Sequence, residues 1–225
     1  MSENPFLEID QKMLGDIYTS SEPMENLTVL CDDFGSRFGG TRGERLAARF
    51  LRDKFREYKL PVTRMEPYRY ASWTRGKTCL EVLLPVQMEI PCIALPYCPS
   101  AKIEAELVSV DDGSPTDFEQ AGNFLEGKLV MATSRPPQGL GRYVHRSEKY
   151  ARSVLGGCKG FIFTNHYEGL GPATGSIPPY NQEALVPGIS VSKEWGEFLV
   201  RLIKRKGPVR LRLKTQNRTQ TRTSW

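Results

Sequence analysis

Histidine is scarce in this 225-residue chain: there are two, His145 and His166. Neither belongs to an H-E-x-x-H or H-x-H arrangement, so the sequence offers no self-contained hydrolytic metal site, which needs three protein ligands and an open position. No G-x-S-x-G is present, which excludes the usual serine elbow. Cys158 lies between Gly157 and Lys159 with no nearby histidine to activate it. The five cysteines (Cys31, Cys79, Cys92, Cys98, Cys158) are odd in number and form no C-x-x-C pair, so free thiols in a reducing compartment are expected rather than a disulfide framework. No run approaches the roughly 18 apolar residues of a membrane-spanning helix. The opening Met1-Ser2-Glu3-Asn4-Pro5-Phe6-Leu7-Glu8 lacks a basic stretch and an apolar stretch. These absences predict a cytoplasmic chain with no membrane partner. The Gly35–Gly40 loop invites comparison with a phosphate loop, but no Lys-Ser or Lys-Thr follows it and no apolar strand precedes it.

What is present is a folding domain. Lys plus Arg number 31 against 26 Asp plus Glu, giving +5, with 39% hydrophobic residues, values that exclude intrinsic disorder. Residues 1–22 are polar and read as an arm or a helix lead-in. Met24, Leu27, Leu30 and Phe34 then recur at helical spacing. Thr41 and Glu44 stand at capping-box spacing before a stripe of Leu46, Ala47, Phe50, Leu51, Phe55 and Tyr58, predicting a helix that ends near Lys59. After Pro61 the texture is β: short apolar runs at 79–84, 93–95, 106–110 and 128–132, separated by Pro, Gly and Asp-Asp-Gly-Ser turns. A helix over 142–155, a buried strand over 160–164, a Gly- and Pro-rich loop over 169–187, a strand over 189–191 and a helix over 193–206 follow. The alternation of 209–214 predicts a last strand at a sheet edge, its basic residues guarding against edge pairing.

Two sets of residues are candidates for function. Residues 204–222 hold eight Lys or Arg and no acid. Such a run can neutralise phosphates, yet no aromatic residue interleaves to stack on bases, so nucleic acid is not the expected partner. His166 follows the 160–164 strand, where open α/β sheets present ligand contacts, and His145 falls early in the preceding helix. With Tyr143 and Tyr180 these form a candidate cleft-facing set: Tyr143, His145, His166 and Tyr180. Ordinary surface or packing roles for each are equally compatible with the sequence. No catalytic and no metal-ligating residue is assigned.

Five stretches in order resemble the first half of the M28 family of zinc exopeptidases that carry a protease-associated (PA) domain, the carboxypeptidase Q-type branch being most similar. They are Phe34-Gly35-Ser36-Arg37-Phe38-Gly39-Gly40-Thr41-Arg42-Gly43-Glu44 before a helix; Glu66-Pro67-Tyr68-Arg69-Tyr70-Ala71-Ser72-Trp73-Thr74-Arg75-Gly76; Glu126-Gly127-Lys128-Leu129-Val130; Gly156-Gly157 followed by Gly160-Phe161-Ile162-Phe163; and Pro187-Gly188-Ile189-Ser190-Val191 before a helix. The resemblance implies an α/β (α+β) fold in which residues 1–75 supply helices of an incomplete peptidase domain. Residues 76–216 would form a PA domain with a mixed β-sandwich or barrel-like sheet flanked by helices, and residues 217–225 would begin the return into the peptidase domain.

It also implies two zinc ions in the full-length parent, held by a His-x-Asp motif, a bridging Asp, a Glu-Glu pair and a distal His. His-x-Asp and Glu-Glu do not occur in these 225 residues. The expectation is therefore an N-terminal portion, inactive alone, whose partners are a peptide substrate, the missing C-terminal peptidase half and a possible second copy. The PA module would act as lid and specificity element, with the 169–187 loop as the lid candidate. A stand-alone PA-like peptide- or protein-binding module is the alternative.

Overall fold

The cap and stripe that follow Thr41 do form a helix in the computed structural model, which describes residues 4–178 and 182–225. Helix α3 spans Arg42–Glu57; Thr41 is its N-cap and its side chain accepts from the Glu44 amide at 3.3 Å. The reciprocal half of the expected capping box is absent. Glu44 Oε2 accepts instead from the Gly40 amide at 2.5 Å, and Oε1 accepts from Ser224 Oγ and the Trp225 amide. Two further helices precede α3. The polar lead-in is itself helical, α1 at Leu7–Thr19, and α2 at Glu22–Thr28 runs into a π-helical turn at Val29–Asp33. Neither α1 nor α2 buries a residue.

The chain divides into two compact units, one made of Met1–Ser72 with Thr221–Trp225 and the other of Trp73–Gln220. Strands β1 (Tyr68–Thr74) and β10 (Arg218–Ser224) pair as a two-stranded ribbon through which the chain passes from one unit to the other and back. Polar alternation without apolar residues hides β10 from a hydrophobicity reading.

The second unit is a mixed α/β fold: an eight-stranded sheet flanked by helices. Its strands are β2 (Thr78–Leu84), β3 (Met88–Ile90), β4 (Ile93–Ala94), β5 (Ala101–Ser109), β6 (Leu129–Thr133), β7 (Gly160–Thr164), β8 (Gly188–Val191) and β9 (Arg210–Thr215), in the order β3-β2-β9-β5-β6-β7-β8-β4. β5 joins the two halves: residues 101–106 pair antiparallel with β9, and residues 107–109 pair parallel with β6. β6, β7 and β8 continue in parallel. The crossovers carry α4 (Pro115–Ala121) and α5 (Arg146–Leu155), and α6 (Lys193–Lys206) follows β8.

Strands buried on both faces carry continuous apolar runs, and the parallel half shows this. Leu129 and Met131 of β6, with Ile162 and Ile189, join Leu199 and Leu202 of α6 in one cluster. Val130 and Ala132, with Phe161 and Phe163, join Phe118 of α4 and Tyr150 of α5 in the other.

The expected edge strand is a correction. β9 lies inside the sheet between β2 and β5. Leu211 and Leu213 are fully buried. Arg212 bridges two neighbours, its Nη1 donating to Glu81 Oε2 at 2.9 Å and its Nε to Glu104 Oε1 at 2.6 Å. The basic residues are cross-strand partners here, not guards. Among the described residues no helix is long and apolar enough to cross a membrane.

Candidate functional site

Parallel strands end together, and the crevice beyond their carboxyl ends is where sheets of this kind present polar groups. Thr133 closes β6 and Thr164 closes β7, in register with each other. Beyond them lies a cavity of about 220 Å³ whose wall includes Met131, Thr133, Arg135, Thr164, Asn165 and His166 from the strands and Lys193, Gly196, Glu197, Val200 and Arg201 from α6. Gly196 permits this approach: a Cβ there would lie 2.1 Å from Thr164 Cγ2 and 2.7 Å from its Oγ1. Thr164 Oγ1 is buried and finds no hydrogen-bond partner among the described residues.

Three side chains that the sequence does not single out shape this end of the sheet. The His166 amide donates to Ser134 Oγ at 2.9 Å, and the same oxygen lies 2.5 Å from His166 Nδ1. Ser134 Oγ thus ties both the backbone and the ring of His166 to the end of β6. The second is Lys149 of α5, fully buried, with Nζ donating to the carbonyls of Thr133 at 2.8 Å and Arg135 at 3.0 Å. Burial pulls its pKa down to about 8, against the attraction of Asp112 and Asp117. The third is Arg135, exposed at the cavity rim, whose guanidinium makes no ion pair or hydrogen bond among the described residues. Only contact across the sheet could reveal Ser134 and Lys149, since their partners stand 32 and 16 or 14 residues away.

Three of the four cleft candidates lie among the described residues. His145 is not within a helix but caps one: its Nδ1 accepts from the Ser147 amide at 3.2 Å and meets Ser147 Oγ at 2.7 Å. Burial and then the neighbouring Arg146 lower its pKa. Tyr143, exposed, stands edge-on to that ring at 6.2 Å between centroids. His166 lines the cavity and packs on Tyr167 at 3.9 Å. No hydrogen bond or ring contact joins His166 to Tyr143 or His145 among the described residues. Tyr180 lies outside the described residues.

The described part of the 169–187 loop is fastened rather than loose. Ile177 is fully buried, Arg146 donates to the Ser176 and Thr174 carbonyls, and the Tyr150 hydroxyl donates to the Val186 carbonyl at 3.1 Å.

With this geometry in hand, comparison with solved structures is decisive for the fold. A peptidase M28 precursor from Shewanella amazonensis SB2B superposes with a TM-score of 0.72, at 17% identity, over 96% of this chain and 52% of its own. The structural neighbours of this chain are M28-family zinc aminopeptidases. An aminopeptidase from Aneurinibacillus sp. strain AM-1 matches with a TM-score of 0.67, at 21% identity, over 89% of this chain and 46% of its own. A zinc aminopeptidase from Bacillus subtilis matches with a TM-score of 0.63, at 21% identity, over 88% and 44%. The chain thus spans about half the length of the solved structures it matches. No protein-family model matches the sequence, and no curated protein does. At these identities the likeness is one of fold alone.

The residues present do not fit zinc. Among the described residues no group of three or more His, Cys, Asp or Glu is placed to hold a metal ion. Burial raises the thiols of Cys92 and Cys158 to about 12 and that of Cys98 to about 11, so they are not the thiolates a metal requires.

Proposed function

We propose that this chain is the helical and access-controlling portion of an M28-type zinc-dependent exopeptidase that hydrolyses short peptides, the zinc centre being held by residues other than these 225. The superposition over 96% of the chain but about half of the neighbour carries the reading. In it, residues 1–75 supply helices of the peptidase domain, residues 76–216 form a PA-type module of the carboxypeptidase Q-like kind, and residues 217–225 lead back. The module's task is to limit entry to short peptides, with Tyr143, His145, His166 and Tyr180 at cleft-facing positions and two zinc ions in the complete enzyme. The apolar residues left exposed on the N-terminal helices, Ile9, Met13, Ile17, Leu51 and Phe55 among them, support a partner surface there: the zinc-bearing half or, failing that, a second copy. Five free cysteines support a cytoplasmic setting.

A second reading, a peptide-binding PA-like module without catalysis, is favoured by one observation: the sheet unit has its own two-sided core and its own cavity.

The test is to express the 225 residues joined to the coding segment that follows them. The expected product binds zinc and hydrolyses aminoacyl or dipeptide substrates, loses activity to a chelator and regains it with zinc. A following segment without His-x-Asp and Glu-Glu, or a joined protein that neither binds zinc nor hydrolyses peptides, overturns the peptidase reading and leaves the binding module.

A further inference from the structure

We propose that the cavity beyond β6 and β7 is a subsite for a carboxylate carrying one apolar group, and that it takes the carboxyl-terminal residue of a short peptide. The inference deepens the peptidase reading by naming what the module would hold, and rests on it for the choice of a peptide.

The size comes first. An apolar cavity of roughly 150 Å³ admits benzene, so about 220 Å³ admits a leucyl or phenyl side chain with a carboxylate beside it. The floor suits the side chain: Met131 and Val200 supply apolar atoms. The rim suits the anion. Arg135, Lys193 and Arg201 line it with Glu197, three cations and one acid, and Lys193 Nζ also stands 3.8 Å from the exposed Glu168. Glu197 already engages two of them, at 3.9 Å from Lys193 Nζ and 3.8 Å from Arg201 Nη1. Arg135 has no such partner and is the free fork, matched in geometry to a carboxylate.

The His166 ring stands at the cavity wall beside these cations, its Nδ1 2.5 Å from Ser134 Oγ. Lys149 acts behind them as a positioning residue. Its two bonds to the Thr133 and Arg135 carbonyls hold the turn from which Arg135 reaches the rim.

The experiment is an amide-resolved NMR titration of the 225-residue chain, with no zinc and no hydrolysis in the readout, using N-acetyl-L-phenylalanine, its carboxamide, Ala-Phe and 3-phenylpropionate. The expected result is a dissociation constant on the order of 1 mM for the acid, shifts centred on residues 133–135, 164–166 and 193–201, and at least tenfold weaker binding of the amide. Arg135→Gln is exposed at the rim and should weaken the acid five- to tenfold while leaving the amide unchanged. Glu197→Gln should tighten the acid several-fold by releasing Arg201 and leaving Lys193 with Glu168 alone. Ala-Phe binding at least as well as 3-phenylpropionate supports a peptide end; the reverse by tenfold overturns that choice of occupant. Equal affinity for acid and amide, or shifts lying elsewhere, overturns the subsite. A joined protein that fails to hydrolyse peptides while this titration succeeds removes the peptidase reading and leaves the carboxylate site standing.

Discussion

The N-terminal helices and the sheet unit obey the same patterning rules and reach opposite ends. β7 is buried along its whole length, and the clusters on its two sides are closed by α4, α5 and α6. By contrast, α1 and α2 bury no residue, and α3 buries only Ala47. Amphipathic helices gain most of their stability from the surface that covers their apolar face. The difference teaches that the sheet unit closes its core with its own residues, whereas the N-terminal helices leave their apolar stripe exposed.

The largest break in that comparison should come from paired truncations. Phe161→Ala, at a fully buried site, is expected to cost about 3–5 kcal/mol of unfolding free energy by denaturant titration. Phe55→Ala, at a site 45% exposed, should cost under about 1 kcal/mol. Equal costs would erase the distinction.

Next in size is Lys149. Its pKa near 8 when folded lies below the ordinary value of about 10.4 when unfolded. Between those values the unfolded chain binds the extra proton, so this group's contribution to stability rises with pH through that window. Buried Cys92, Cys98, Cys158 and Tyr150 pull the other way, because their raised pKa values favour the folded state at lower pH. The difference between the wild-type chain and Lys149→Met isolates the lysine. That difference should grow in favour of the wild type by about 2–3 kcal/mol from pH 8 to pH 10.5. A flat difference would mean the ammonium is not desolvated.

The smallest effect belongs to Thr41→Ala, which removes the α3 cap. It should cost about 1 kcal/mol, read as faster amide exchange confined to α3, with the sheet unit unmoved.

Much of this architecture is legible in the residues themselves. α6 follows from the shared face of Trp195, Phe198, Leu199 and Leu202, and the structure gives Lys193–Lys206; Ser192 holds the N-cap position without a side-chain cap bond. β7 follows from its continuous apolar run. What escapes depends on distant partners. β9 reads as an edge because Glu81 and Glu104, which meet Arg212 across 131 and 108 residues, cannot be paired by local spacing. β10 escapes because Arg218–Ser224 contains no apolar residue. α1 escapes because its exposed face breaks the polar texture only weakly.

The candidate site shows the same division. The place of His166 after a parallel strand is local and readable. The Ser134 hydroxyl beneath its ring and the Lys149 ammonium behind the turn come from elements brought together only by the sheet.

Hydrogen exchange resolved along the 225-residue chain tests the contrast between the two regions most directly. The account predicts that amides of β6, β7, β8 and α6 exchange only through global opening, while those of α1 and α2 exchange orders of magnitude faster. Equal protection of α1 and of β7 in the isolated chain would contradict it.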